Sequence, residues 1–91
     1  MTAGKRIVRA SRHHVYILEC ADGTLYTGST SDLVRRLREH NHAKSGAHYT
    51  KIRRPVVLRY AESAKTLGEA RSREAALKRL TRQEKLALIG K

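Results

Sequence analysis

The sequence predicts a compact α/β domain whose elements run in the order β-β-α-β-α-α, and three observations predict it. The segments HVYILEC (14–20) and TLYTG (24–28) are rich in strand formers and flank the turn formers Ala21, Asp22 and Gly23, the pattern of a hairpin. Leu33, Val34 and Leu37 fall on one stripe at helical spacing soon after Gly28. Thr66-Leu-Gly-Glu69 and Thr81-Arg-Gln-Glu84 read as capping boxes, in which a hydroxyl and a carboxylate satisfy the free backbone N–H groups that open a helix.

In chain order, residues 1–13 carry Lys5, Arg6, Arg9 and Arg12 with little apolar periodicity and read as a flexible basic arm, leaving 14–91 as one domain. The hairpin admits two registers. A loop of Asp22 and Gly23 alone pairs Glu19 with Tyr26 and sends Tyr16 and Tyr26 to opposite faces. A loop of Ala21, Asp22 and Gly23, with the glycine left-handed, puts both tyrosines on one face. Ser31 is the expected N-cap of the first helix, with Asp32 in its first turn, and the helix should run to about residue 42. Arg36 and His40, four apart, share a face beside the apolar stripe. Residues 41–55 read as a long basic loop, and Pro55 opens a third strand, VVLRYAES, at or near a sheet edge because proline cannot donate to the ladder. The capping boxes then predict helices over 67–80 and 82–89.

A chain of 91 residues supports one domain, since at this length only about 60 to 65% of the unfolded surface is buried. Tryptophan and phenylalanine are absent, so Leu, Ile, Val and Ala must fill the core and the four tyrosines stand out. Twenty Lys and Arg against eight Asp and Glu give a formal charge of +12, a field that attracts polyanions, with DNA or RNA ahead of an acidic membrane surface. Nothing approaches the run of about 18 apolar residues that a membrane span needs, and MTAGKRIVRASRHH lacks the apolar block of a signal peptide, so the expected location is the cytoplasm. The single Cys20 excludes an internal disulfide and a finger-type zinc site and reads as a small core residue. No P-loop, dinucleotide-binding glycine pattern or serine elbow is present, so neither a nucleotide cofactor nor acyl transfer is expected.

Five residues are candidates for chemistry. Tyr16 and Tyr26 could be ordinary amphipathic strand residues, but Tyr26 stands immediately before Thr-Gly and a helix start, with Arg36 ten residues on and His40 a turn beyond. A phenol is a poor base at neutral pH unless neighbouring cations or a metal-bound water lower the cost of moving its proton. Arg36, at the border of a buried stripe, is suited to grip two phosphate oxygens, and His40 beside it to carry a proton. Glu74 could simply pair with Lys78 at i,i+4; alternatively, one carboxylate in a basic chain is what a single hard divalent ion needs. The pairs His13-His14 and His40-Asn-His42 lack a ligand cluster and read as structural or solvent-facing.

Together VYI (15–17), YTG (26–28), Arg36-Leu37, His40 and EAALK around Glu74 resemble the GIY-YIG nuclease domain, over residues 14 to about 85 and most closely in its small stand-alone bacterial form. The resemblance implies a three-stranded antiparallel sheet flanked by helices and a DNA endonuclease that hydrolyses phosphodiesters with one divalent metal, Mg²⁺ or alternatively Mn²⁺. It assigns Tyr16 and Tyr26 to the motif tyrosines, Arg36 to phosphate binding, His40 to an accessory role and Glu74 to the metal; Tyr16 is preferred as base and Tyr26 as orienter. His14 and Thr27 depart from the motif residues beside the tyrosines, and Ser29 stands where the excision-repair incision subunit carries a lysine. No clear match exists for the late asparagine of homing-type relatives. Those roles pass to Tyr49, Lys78 or the substrate.

Arg35, Lys44, Lys51, Arg53, Arg54 and Lys78 are expected to grip phosphates without reading bases, and Tyr49 to stack on an unpaired base, which favours single-stranded or branched DNA. The rival reading is a catalytically silent nucleic-acid-binding protein that keeps the fold, with an RNA-directed role as a third possibility.

Overall fold

The computed structural model describes residues 13–42 and 48–90. The basic arm expected over 1–13, apart from His13, and the phosphate contact expected of Lys44 lie outside the described residues. The elements are β1 (His13–Glu19), β2 (Leu25–Thr30), α1 (Leu33–His42), a one-turn α2 (His48–Lys51), β3 (Val57–Ala64), α3 (Leu67–Lys78) and α4 (Arg82–Ile89). The strands form one antiparallel sheet in the order β2-β1-β3. The expected β-β-α-β-α-α order is present, with α2 as an addition inside the basic loop.

The hairpin adopts the register that unites the tyrosines. Tyr16 pairs with Gly28, Leu18 with Tyr26 and Glu19 with Leu25. The turn is closed by bonds from Cys20 N to the Thr24 carbonyl (2.8 Å) and from Gly23 N to the Cys20 carbonyl (2.9 Å). Gly23 takes φ +86°, a region where a Cβ is strained, and Asp22 Oδ1 accepts from both the backbone and hydroxyl of Thr24.

The central strand β1 is buried from Val15 to Leu18, as expected of a strand covered on both faces. On one face Tyr16, Leu18, Cys20 and Val56 pack with Leu33 and Leu37 of α1 and with Tyr49 of α2. On the other, Val15 and Ala64 pack with Ala70 and Leu77 of α3, joined by Tyr60 and Leu80. β3 lies at the edge predicted from Pro55.

Helix ends follow the sequence with small corrections. At α1 the cap is Asp32 rather than Ser31: Asp32 Oδ1 accepts from Arg35 N at 3.0 Å, and Thr30 Oγ1 in turn accepts from Asp32 N at 3.1 Å. At α4 the Thr81–Glu84 capping box is complete. At α3 Thr66 accepts from Glu69 N, but Glu69 reaches back one residue further than the box requires, to Lys65 N. α3 ends at Lys78, two residues short of the expected stop, where Arg79 N turns to the Ala76 and Leu77 carbonyls.

Candidate active site

β1 and β2 place the two tyrosines. By strand alternation Tyr16 and Tyr26 both face α1, and Gly28, directly across from Tyr16, leaves room for the Tyr16 ring. A Cβ at residue 28 would stand 2.5 Å from the Tyr16 hydroxyl and 2.7 Å from its Cζ, so the glycine is there for space.

α1 supplies Arg36 and His40 from one face. The Tyr16 hydroxyl meets His40 Nε2 at 2.8 Å, and His40 Nδ1 meets Thr50 Oγ1 at 2.7 Å. His40 and Thr50 are fully buried at 0% exposure, and Tyr16 retains 2%. The Tyr26 ring stands edge-on to the His40 ring, centroids 5.2 Å apart. Arg36 lies beside the Tyr16 hydroxyl, its guanidinium held by Glu39 at 2.9 Å. Burial pushes the Tyr16 phenol up to about 12; Arg36 pulls the other way and loses. Burial, reinforced by the charges of Arg36 and Arg54 and opposed by Glu39, brings His40 down to about 4, so the imidazole is neutral at pH 7.

Glu74 comes from α3 at the β2 edge of the sheet. One carboxylate oxygen accepts from the Ser29 hydroxyl at 2.6 Å, and the other pairs with Lys78 Nζ at 2.9 Å, the i,i+4 bridge. Its partial burial favours the neutral acid, but Ser29, Lys78 and the field of Arg71 outweigh that and hold the carboxyl below its usual range. Glu74 is therefore an anion at neutral pH, and its charge is felt at Tyr16. Among the described residues no group of three or more His, Cys, Asp and Glu stands together. A lone carboxylate with about two of its four acceptor positions unused suits a hard ion that keeps most of its waters, as Mg²⁺ and Mn²⁺ do.

The residues expected on phosphates differ in how committed they already are. Lys51 is exposed, Arg35 pairs with Glu39 at 3.6 Å, and Lys78 is half exposed beside Glu74. Arg53 bonds Asp22 at 3.1 Å and the Tyr49 carbonyl at 3.1 Å, tying α2 to the hairpin turn. Arg54 bonds the carbonyls of His40 (2.6 Å) and Glu39 (3.1 Å), which satisfies the C-terminal turn of α1. Tyr49 is also less open than the sequence suggests: its ring lies 5.7 Å from that of Tyr26 and carries the Arg53 guanidinium 3.9 Å above its centroid.

Sequence reasoning missed two residues of this site. Ser29 appeared only as a departure from a lysine, yet its hydroxyl holds Glu74; its place on β2, one residue past Gly28, was the available signal. Thr50 had no signal, because its partner lies ten residues earlier on a different helix, at no spacing that a single element would reveal.

Residues 12–87 match the family model described as the GIY-YIG catalytic domain. A UPF0213 protein of Syntrophus aciditrophicus is 53% identical over 79 residues, covering 87% of this chain and 91% of that protein. One from Halobacterium salinarum is 54% identical over 77 residues, covering 85% and 99%. Among solved structures, the solution NMR structure of a UPF0213 protein from Bacillus halodurans is similar with a TM-score of 0.54 at 42% identity, over 85% of this chain and 81% of that one. A protein from E. faecalis gives 0.55 at 44% identity, over 80% and 77%. No helix among the described residues is long and apolar enough to cross a membrane. With the family model spanning most of the chain and relatives at about half identity along nearly their whole length, the chain belongs to the GIY-YIG family, a family of nuclease domains.

Proposed function

We propose that the protein is a metal-dependent endonuclease that hydrolyses DNA phosphodiester bonds, with a preference for single-stranded or branched DNA. The observation that carries this reading is the convergence of Tyr16, Tyr26, Arg36 and His40 on one face of the sheet, with the Glu74 anion at the adjoining β2 edge close enough to bear on Tyr16. Nucleic-acid binding alone gives no reason to hold an anionic carboxylate in this pocket.

Glu74 would hold the divalent ion, which supplies positive charge for the phosphate oxygens and lowers the cost of deprotonating a water. Because burial keeps Tyr16 protonated, a free tyrosinate is a scarce base. His40 Nε2 offers a transient way round this, although the burial and cations that hold His40 at about 4 disfavour a standing imidazolium: Tyr16 takes a proton from the attacking water while passing its own to His40 Nε2. Hydroxide adds to phosphorus, the P–O bond to the leaving oxygen breaks, and that oxygen is protonated by solvent; His40 then returns its proton to Tyr16 as Tyr16 releases the proton taken from water to solvent. Arg36 stabilises the charge that develops on the phosphate, and Tyr26 orients the water. Arg35, Lys51 and Lys78 provide further phosphate contacts, with Arg53 and Arg54 adding charge from anchored positions. An unpaired base would stack on the Arg53 guanidinium plane over Tyr49 rather than on the bare tyrosine ring.

The test uses purified protein and end-labelled single-stranded, duplex and branched DNA, in Mg²⁺, Mn²⁺ or EDTA. Cutting should require the metal, run fastest on single-stranded or branched DNA, and fall at least ~100-fold in Glu74→Ala and in Tyr16→Phe. Binding without cutting under each metal would replace this reading with that of a silent binder. Equal cutting of matched duplex and single strand, with an indifferent Tyr49→Ala variant, would remove the substrate preference.

A further inference from the structure

Thr50 is fully buried, comes from a helix of one turn, and takes no part in the reaction as described above. The chain nevertheless fixes its position from several sides. The Thr50 carbonyl accepts from Arg53 N at 3.0 Å, the Arg53 carbonyl accepts from Ala21 N at 2.9 Å, and Arg54 binds the carbonyls at the end of α1. The segment is thus clamped to the hairpin turn and to the helix that bears His40, and what this brings together is Thr50 Oγ1 and His40 Nδ1, 2.7 Å apart.

The direction of each proton in this chain follows from what its neighbours can do. Arg36, beside the Tyr16 hydroxyl, has only donors, so it can use the Tyr16 oxygen but cannot receive the Tyr16 proton. His40 Nε2, at 2.8 Å, can. With Nε2 accepting, a neutral His40 must carry its hydrogen on Nδ1, and that N–H points at Thr50 Oγ1, which accepts it. The charged and titratable groups around the imidazole are Tyr16 from β1, Tyr26 from β2, Arg36 and Glu39 from α1 and Arg54 ahead of β3; burial, reinforced by the two cations against Glu39, keeps it neutral.

We propose that Thr50 is a positioning residue: by accepting the Nδ1–H of His40 it fixes the tautomer whose Nε2 lone pair faces Tyr16, the form able to take the Tyr16 proton. When that proton arrives, His40 becomes an imidazolium whose Nδ1–H bond to Thr50 strengthens and whose Nε2–H points back at the Tyr16 oxygen. The inference rests on the nuclease reading for its consequence in catalysis, but the tautomer itself can be observed without any substrate.

The experiment compares wild type, Thr50→Val and Thr50→Ser by ¹⁵N NMR of the histidine ring, urea unfolding and single-turnover cleavage. Valine keeps the shape and removes the acceptor; serine keeps the acceptor. In wild type and Thr50→Ser, His40 should show protonated Nδ1 and unprotonated Nε2, with comparable cleavage rates. Thr50→Val should lose the fixed tautomer and about 10- to 100-fold in kcat, with DNA affinity unchanged. A wild-type His40 protonated on Nε2, or a Thr50→Val variant that keeps both the Nδ1–H form and the wild-type rate, overturns the proposal. If Thr50→Val unfolds, a Thr50→Ser variant lacking the Nδ1–H signal overturns it equally. A wild-type protein that shows the Nδ1–H form and cuts no nucleic acid overturns the nuclease reading instead, and with it the catalytic consequence assigned to Thr50.

Discussion

Val15 of β1 looks onto a buried aliphatic layer of Ala64, Ala70 and Leu77, while Tyr16, the next residue, looks onto a buried chain of hydroxyl, imidazole and hydroxyl. The two faces differ in what stabilises them. Away from the Ser29–Glu74 contact at the β2 edge, the α3 face gains from non-directional burial, about 1.5 to 3 kcal/mol for each large aliphatic side chain removed from water, and tolerates changes that preserve volume. The α1 face buries polar groups whose desolvation is offset only if each finds its partner, so it depends on direction as well as volume. A nuclease site needs the second kind of packing, and in so small a domain the first kind is what supports it.

Truncating the aliphatic face tests that division. Leu77→Ala should cost about 2 to 5 kcal/mol in urea unfolding, the largest effect expected of a single change here. In the cold, where the variant remains folded, its cutting rate per folded molecule should stay near that of wild type. A rate that falls further than the folded fraction would show that the faces are not separable.

The sequence made the strands and helices readable, and the polar chain only in part. Alternation in β1 and Gly23 left two hairpin registers open, and it was the GIY-YIG resemblance that favoured the one joining Tyr16 to Tyr26; the i,i+4 spacing placed Arg36 beside His40. α2 escaped because one helical turn has no period to detect. Arg53 and Arg54 read as free phosphate ligands because several of their acceptors are backbone carbonyls, which carry no mark in sequence. Asp32 displaced Ser31 as the cap by a single residue, a choice between two good capping side chains that local chemistry leaves nearly balanced.

A pH series probes the polar face directly. His40 in the folded protein sits below its ordinary 6.5, at about 4, so as pH falls the unfolded chain takes up the proton first and the native state loses stability. The loss should be on the order of 3 kcal/mol, accumulating from about pH 6.5 down to 4. Asp22, Glu62 and Glu74, whose carboxyls are held low, contribute stability above their unfolded values and lose it as pH falls further, overlapping only the acid end of this window. The His40→Gln variant is less stable at pH 7 but should lack the dependence between 6.5 and 5. An unchanged slope in that variant would mean that His40 takes up its proton at the same pH folded and unfolded, and the contrast between the faces would lose its electrostatic half.

The smallest expected change in stability carries the sharpest test of direction against volume. Gly28→Ala adds one methyl group at a strand position whose backbone suits alanine, so any penalty comes from contact. That contact falls on the hydroxyl and Cζ of Tyr16, which is buried among its neighbours and anchored to His40 and so cannot swing away as a free chain end could. The ring must shift, at a cost of about 1 to 3 kcal/mol in stability. Because the shift acts on the Tyr16–His40 hydrogen bond, the cutting rate per folded molecule should fall by about 100-fold, while Leu77→Ala, costlier to the fold, leaves that rate nearly intact. If Gly28→Ala instead cuts at the wild-type rate, the Tyr16 hydroxyl need not be held where the fold holds it, and the polar face is packing rather than machinery.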